Sequence, residues 1–158
     1  MNAFEEVVAM LLRGEGYWIM PNFKVVLTKE EKRAIGKPSS PRWEIDLVAY
    51  KGATNELIAI ECKSFLDSQG VVFKEGSLHR ANTYKLFNDK SLREVVLKCL
   101  VKQLVESKWC RPHPKISLAL ATGKIAKITD RNEMRAYFEA QNWILYDDNW
   151  VQSKLRDL

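Results

Sequence analysis

Two acidic residues and a lysine stand at the ends of two neighbouring apolar runs. Asp46 lies in the run from Trp43 to Tyr50, and Glu61 and Lys63 end the run that begins at Leu57. Burying an unpaired charge is costly, so carboxylates that end such strands need partners. A divalent cation would be one such partner, since two carboxylates supply the oxygen ligands that Mg²⁺ prefers. This arrangement favours metal-assisted hydrolysis of a phosphodiester bond.

The alternation of side chains along a strand predicts which of these side chains face the same side of the sheet. Residues two apart project from the same face, so Glu61 and Lys63 should point together while Cys62 turns to the other side. Asp46 and Glu61 can then hold the cation, and Lys63 can steady the phosphate or the attacking hydroxide. The alternative is a surface hairpin whose ends form an ordinary salt bridge, because an Asp followed later by Glu-x-Lys is common by chance.

The elements that must position these residues follow from local patterns in the first half of the chain. Asn2 and Glu5 form a capping box before an amphipathic helix. The segment 17–27 predicts a strand, and Pro21 within it requires an edge position or a bulge. A charged loop is expected over 28–41. The two apolar runs predict a hairpin of central strands, and 64–88 predicts a long excursion near the site.

The second half alternates helices and strands. The capping box Ser91-Leu92-Arg93-Glu94 predicts a buried helix that ends near Ser107. Residues 116–121 predict a buried strand, Asp130 opens another helix, and 143–146 predict a last strand. The tail after Asp147 predicts no particular element. The order helix, three strands, helix, strand, helix, strand predicts an α/β fold with a mixed central sheet flanked by helices.

Composition bounds the class of protein. The chain has 158 residues, is 46% hydrophobic and contains no long Pro, Gly or Ser tract, which predicts a single globular domain over 1–158. Its apolar runs are far shorter than the roughly 18 residues of a membrane span, so we expect no membrane association and a cytoplasmic protein. Three cysteines without framework spacing indicate free thiols. The net charge of +5 is compatible with a polyanionic partner.

The motifs, taken together, resemble those of the PD-(D/E)xK nuclease superfamily, the restriction-endonuclease-like proteins, and within it the Mrr-like and Holliday-junction-resolvase-like branches. Phe4-Glu5 resembles the start of the family's opening helix, Glu44-Ile45-Asp46-Leu47-Val48 its Asp motif, and Glu61-Cys62-Lys63 its (D/E)-x-K motif. The resemblance covers most of the chain in element order. The chain departs from the family where no Pro precedes Asp46 and in the long segment 64–88.

The resemblance implies a restriction-endonuclease-like αβββαβ core and a Mg²⁺-dependent endonuclease that hydrolyses DNA phosphodiester bonds in restriction, repair or recombination, with Mn²⁺ able to substitute. Asp46, Glu61 and the Cys62 main-chain carbonyl would bind the metal, and Lys63 would be the catalytic lysine. Glu5 would reach the site from the helix. The alternative for Glu5 is that it serves as the capping partner of Asn2.

Basic residues near the motifs are candidate DNA contacts. The candidates are Lys32, Arg33, Lys37, Arg42, Arg80 and Lys85. One alternative function is a catalytically weak or inactive nuclease-fold protein that binds DNA or regulates a partner. Another is a globular interaction protein in which the motif is a coincidence. A homodimer is also left open, because no separate recognition domain is evident and a partner subunit could supply specificity.

Overall fold

The computed structural model describes residues 1–36, 42–65, 70–79 and 83–158. The strands of this part of the chain are β1 (Trp18–Val25), β2 (Trp43–Lys51), β3 (Glu56–Lys63), β4 (Phe73–Lys74), β5 (Ser77–Leu78), β6 (Lys115–Thr122) and β7 (Ile144–Tyr146). Its helices are α1 (Ala3–Gly14), α2 (Lys29–Ala34), α3 (Lys85–Asn88), α4 (Lys90–Glu106), α5 (Arg131–Ala140) and α6 (Asp148–Arg156). None of the helices in these ranges is both long and apolar enough to cross a membrane.

Five strands form one mixed sheet in the order β1-β2-β3-β6-β7, and β4 and β5 form a separate small hairpin. The first three strands of the sheet are antiparallel neighbours, whereas β6 and β7 run parallel to β3. The α4 helix connects β3 to β6, and α5 connects β6 to β7, as parallel pairing requires. The predicted α/β class, with an αβββαβ core and a mixed sheet, is confirmed.

Helices cover both faces of the sheet. On one face, Val8 and Leu12 of α1 pack against alternate strand residues such as Ile60. On the other, side chains of α4 and α5 such as Leu100 and Phe138 complete a larger cluster. Each fully buried side chain of this size contributes roughly 1.5–3 kcal/mol. Because β3 is apolar on both faces, it can lie only at the centre of the sheet.

The predicted start of α1 is confirmed, whereas the predicted start of α4 and the predicted loop over 28–41 are wrong. The capping box of Asn2 and Glu5 is present at the start of α1. The α4 helix, however, begins at Lys90, because Asp89 is the N-cap and accepts a hydrogen bond from the Leu92 amide at 3.0 Å. The predicted loop over 28–41 contains α2, whose own capping box pairs Thr28 with Glu31. The unassigned tail forms α6.

The outer strand β1 is the edge on which Pro21 is tolerated. Its end is closed by the side-chain amide of Gln103 on α4. The Gln103 Oε1 accepts from the Val26 amide at 3.0 Å, and Nε2 donates to the Lys24 carbonyl at 3.3 Å. A side chain thus takes the place of a neighbouring strand, which protects an exposed sheet edge from pairing with another chain.

Candidate active site

The candidate site lies where β2 and β3 part. Their antiparallel ladder runs from Lys51 paired with Glu56 to Leu47 paired with Ile60 and then ends. The next residues along the two strands are Asp46 and Glu61. The fork thus lies between the two acidic residues that the sequence predicted as a pair.

Asp46 replaces the lost ladder pairing at the fork. Its Oδ2 accepts the Cys62 amide N–H at 2.8 Å. The N–H and C=O of a strand residue lie on the same side of the strand. The Cys62 carbonyl, which the sequence predicted as a metal ligand, therefore lies on the side of β3 that faces Asp46.

The pairing of β3 with β6 continues past the fork. Glu61 pairs with Leu120 and Lys63 with Thr122. The Gly123 amide then donates to the Lys63 carbonyl at 3.1 Å. Glu61 and Lys63 consequently lie on regular strand backbone, although β2 no longer pairs with β3 at this point.

The predicted alternation of faces along β3 is present. Cys62 is buried within the cluster on the α1 face. Glu61 and Lys63 therefore project to the opposite face, where Glu61 lines a small cavity of about 70 Å³ with Trp43 and Tyr84. Both of those aromatic residues pack in or against the cluster of the α4 face.

The pKa of Glu61 indicates that ionising both Asp46 and Glu61 would be unfavourable in this environment. The pKa of Glu61 is raised to about 8, mainly by burial and then by the neighbouring charge of Asp46 and a hydrogen bond with it, while the charge of Lys63 acts in the opposite direction. Within the described residues the Glu61 Oε1 is buried without a hydrogen-bond partner. A buried acceptor without a partner is rare in folded proteins and calls for an explanation.

The Cys62 thiol, between Glu61 and Lys63 in the chain, is unreactive at neutral pH. Burial, followed by the charge of Asp46, raises the pKa of Cys62 well above its ordinary value. A thiol is a nucleophile or metal ligand only as the thiolate. Cys62 can therefore contribute to a site at neutral pH through its main chain, and its side chain serves as packing.

Glu5 is bonded to the start of its own helix. Its Oε2 accepts from the Asn2 amide at 3.1 Å and its Oε1 from the Asn2 side-chain amide at 3.2 Å. The α1 helix packs on the face opposite to Glu61, although the charge of Glu5 still makes a small contribution to the raised pKa of Glu61. The structure thus gives Glu5 the capping role, and its role in the site stays a prediction.

The donor set fits a hard divalent cation that keeps much of its water. Among the described residues there is no group of three or more His, Cys, Asp or Glu side chains placed to hold a metal. Mg²⁺, however, is commonly bound through one or two carboxylates, with waters and substrate phosphates completing its shell. Asp46, Glu61 and the Cys62 carbonyl would suffice, and a cation would supply the partner that the Glu61 Oε1 lacks.

The predicted DNA contacts are spread over three elements. Lys32 and Arg33 lie on α2, and Arg42 is exposed directly before β2. Lys85 opens α3 and lines the cavity beside Glu61. Lys37 and Arg80 lie outside the described residues.

The sequence interpretation missed the aromatic wall of the cavity. Tyr84 and Phe87 come from the end of the 64–88 excursion and lie beside Glu61. Their position is held by Arg93 of α4, whose Nη1 donates to the Leu86 and Phe87 carbonyls at 3.1 and 3.0 Å. The available signal was the apolar cluster Tyr84-Lys85-Leu86-Phe87, which has no clear period because α3 is a single turn.

Comparisons with known proteins give a distant structural likeness and no family. No protein-family model matches the chain, and no curated protein matches it. Among solved structures, an XisH family protein from Nostoc punctiforme PCC 73102 is similar over 95% of this chain and 94% of its own, with 15% sequence identity and a TM-score of 0.40. A likeness at this level carries no activity, metal or partner to this chain.

Proposed function

We propose that this protein is a metal-dependent endonuclease that hydrolyses DNA phosphodiester bonds, with Asp46, Glu61 and Lys63 as its catalytic residues. The observation that carries the proposal is the buried Oε1 of Glu61, which lies beside a second carboxylate and has no hydrogen-bond partner in the described part of the chain. In a purely structural salt bridge, the Lys63 ammonium would instead pair with the carboxylate of Asp46 or Glu61. None of the ion pairs among the described residues involves Lys63, which argues against the ordinary salt bridge.

Each group has a definite task in this proposal. A bound Mg²⁺ or Mn²⁺ supplies Lewis-acid stabilisation and lowers the pKa of its water. Asp46 and Glu61 hold the cation, and the Cys62 amide orients Asp46. The Lys63 ammonium, a compact point charge on a flexible stem, binds a phosphate oxygen or steadies the attacking hydroxide.

The choice of DNA as substrate rests on charge. The chain carries a net charge of +5. Lys85 lines the cavity beside Glu61, and the exposed Arg42 directly precedes Trp43, which also lines it. Contacts of this kind to phosphates release counterions, so affinity should fall steeply as salt rises. Sequence-independent binding of the backbone is the expected mode.

The direct test is cleavage of plasmid, single-stranded and branched DNA with Mg²⁺ or Mn²⁺. We expect Asp46→Ala and Lys63→Ala to lower the rate by about 10²-fold or more, the scale seen for loss of an electrostatic catalytic group. Glu44→Gln is the matched control, because Glu44 is an exposed acid on the same strand as Asp46. Calorimetric titration with Mn²⁺ should show binding to the wild type that Asp46→Ala removes.

Two results would decide against the enzyme. If the purified wild type binds DNA in a salt-sensitive manner and cleaves none of the substrates, the chain is a binding or regulatory protein with this fold. If the two variants cleave as fast as the wild type, the chemistry lies elsewhere in the chain.

A further inference from the structure

Two tryptophans form an exposed pair far from the candidate site. Trp18 is 61% exposed and Trp109 is 52% exposed, and their ring centroids lie 5.8 Å apart with an interplanar angle of 57°. Tryptophan gains much from burial, so exposed indoles in contact with each other mark an interaction surface more often than isolated ones do.

The pair lies toward the opposite end of the sheet from the fork. Trp18 pairs with Tyr50 on β2. Four residues along that strand separate Tyr50 from Asp46, which corresponds to about 13 Å at roughly 3.3 Å per residue. A strand of nucleic acid that crossed the fork could reach the pair within a few nucleotides.

The loop that carries the second indole is firmly held. The Arg111 amide donates to the Tyr50 hydroxyl at 3.1 Å, and the Arg111 Nη2 donates to the Gly52 carbonyl at 2.6 Å. The Tyr50 hydroxyl donates to Asn55 Oδ1 at 2.8 Å, and the Asn55 Nδ2 donates to the Pro112 carbonyl at 3.0 Å. The loop after α4 is thereby tied to the β2–β3 turn. A surface ordered in advance loses little entropy when it binds a ligand.

The charge beside the pair is positive. Trp109 lines a groove of about 690 Å³ together with Lys108 and Arg111. No acidic side chain is among the described residues that line this groove. The cores of protein interfaces are depleted of charge, whereas aromatic faces interleaved with cations suit a strand whose bases stack and whose phosphates need neutralising.

We propose that the Trp18–Trp109 pair and the adjoining groove bind an unpaired segment of a nucleic acid strand. An indole stacks on an unpaired base, and Lys108 and Arg111 hold the neighbouring phosphates. Duplex DNA keeps its bases stacked inside the helix and cannot use the pair. The inference deepens the proposed function, on which it rests for the identity of the ligand, because it names DNA with an unpaired segment as the preferred substrate.

The test measures binding without divalent cation, so that it is independent of cleavage. Fluorescence anisotropy in EDTA compares a labelled oligothymidine with a duplex of the same length. We expect Trp109→Ala and Trp18→Ala to weaken single-strand binding about tenfold, in line with the loss of one stacked base. Duplex affinity should change less than about twofold, and Trp109→Phe should retain most of the single-strand affinity.

Matched controls separate stacking and charge from general effects. Val26→Ala removes another exposed apolar side chain, 54% exposed, just beyond β1. The variant Lys108→Gln should reduce the slope of log affinity against log salt by about 0.7, the contribution of one single-strand phosphate contact, and it leaves the Arg111 bond to the Gly52 carbonyl in place. Lys90→Gln removes an exposed cation at the far end of α4 and should change the slope less. Thermal melting checks that each variant is folded.

Three outcomes would overturn the proposal. The first is single-strand affinity that the tryptophan variants leave unchanged, and the second is equal loss of single-strand and duplex affinity. The third is concentration-dependent association in analytical ultracentrifugation that Trp109→Ala abolishes while oligonucleotide affinity stays constant, which would make the pair a protein interface. Single-strand binding through the pair without cleavage would instead keep this proposal and remove the enzyme assignment.

Discussion

Replacing Glu61 with Gln should stabilise the metal-free protein at neutral pH. Burial raises the pKa of Glu61 to about 8 from its ordinary value of 4.5. A carboxyl whose pKa is raised on folding is easier to ionise in the unfolded chain. Its burial is therefore harmless below about pH 4.5, where both states are protonated, and destabilising as pH rises toward 8.

The magnitude follows from the two pKa values. Between about pH 4.5 and 8 the unfolded state is ionised and the folded state holds its proton, so wild-type stability falls by about 1.4 kcal/mol per pH unit. At pH 7 the accumulated loss is about 3 kcal/mol, an upper bound because Asp46 can share the proton. Gln is neutral at every pH and of similar shape. The variant should gain most of that amount at pH 7 and almost nothing near pH 4.5.

Urea unfolding in EDTA, followed by tryptophan fluorescence between pH 4.5 and 8.5, measures the difference. Glu44→Gln serves as the control, because it removes the same charge from an exposed position on β2 and should shift stability by less than about 0.5 kcal/mol. A Glu61→Gln protein that is less stable than the wild type at pH 8, or a gap that does not change with pH, would refute the reasoning.

Two further predictions concern the scaffold around the site. Gln103→Ala exposes the end of β1 and should lower the free energy of unfolding by about 1 kcal/mol, with more self-association in light scattering than the neighbouring Lys102→Ala. Asp147→Asn should cost about 1–3 kcal/mol in denaturant unfolding, because the buried Asp147 bonds Arg131 and Arg135 at 3.3 and 2.6 Å, while Arg131 keeps Asp148 as a partner and Arg135 is partly exposed. A loss below 1 kcal/mol for Asp147→Asn would show that the two arginines find other partners.

Local signals in the sequence were sufficient for the α1 capping box and the β2–β3 hairpin. Both depend on contacts between residues close in the chain. The pairing of Asp46 with Glu61 also followed, since a hairpin of fixed register brings the ends of its strands together. Glu5 marks the limit of this reasoning. Its capping contact with Asn2 follows from their spacing in the chain, whereas a role in the site depends on how α1 packs on the sheet, which local patterns do not decide.

The fork between β2 and β3 explains how a charged pair coexists with an apolar sheet. If the ladder continued, Asp46 and Glu61 would face each other as a regular cross-strand pair of like charges, which destabilises a sheet. Departure of β2 lets Asp46 bond the Cys62 amide, while β6 still pairs with Glu61 and Lys63. The backbone stays ordered, and the remaining unfavourable contribution is the buried Glu61 Oε1, which lacks a hydrogen-bond partner among the described residues. A cation bound at that oxygen would offset this contribution, so stability and metal affinity should be coupled at this fork.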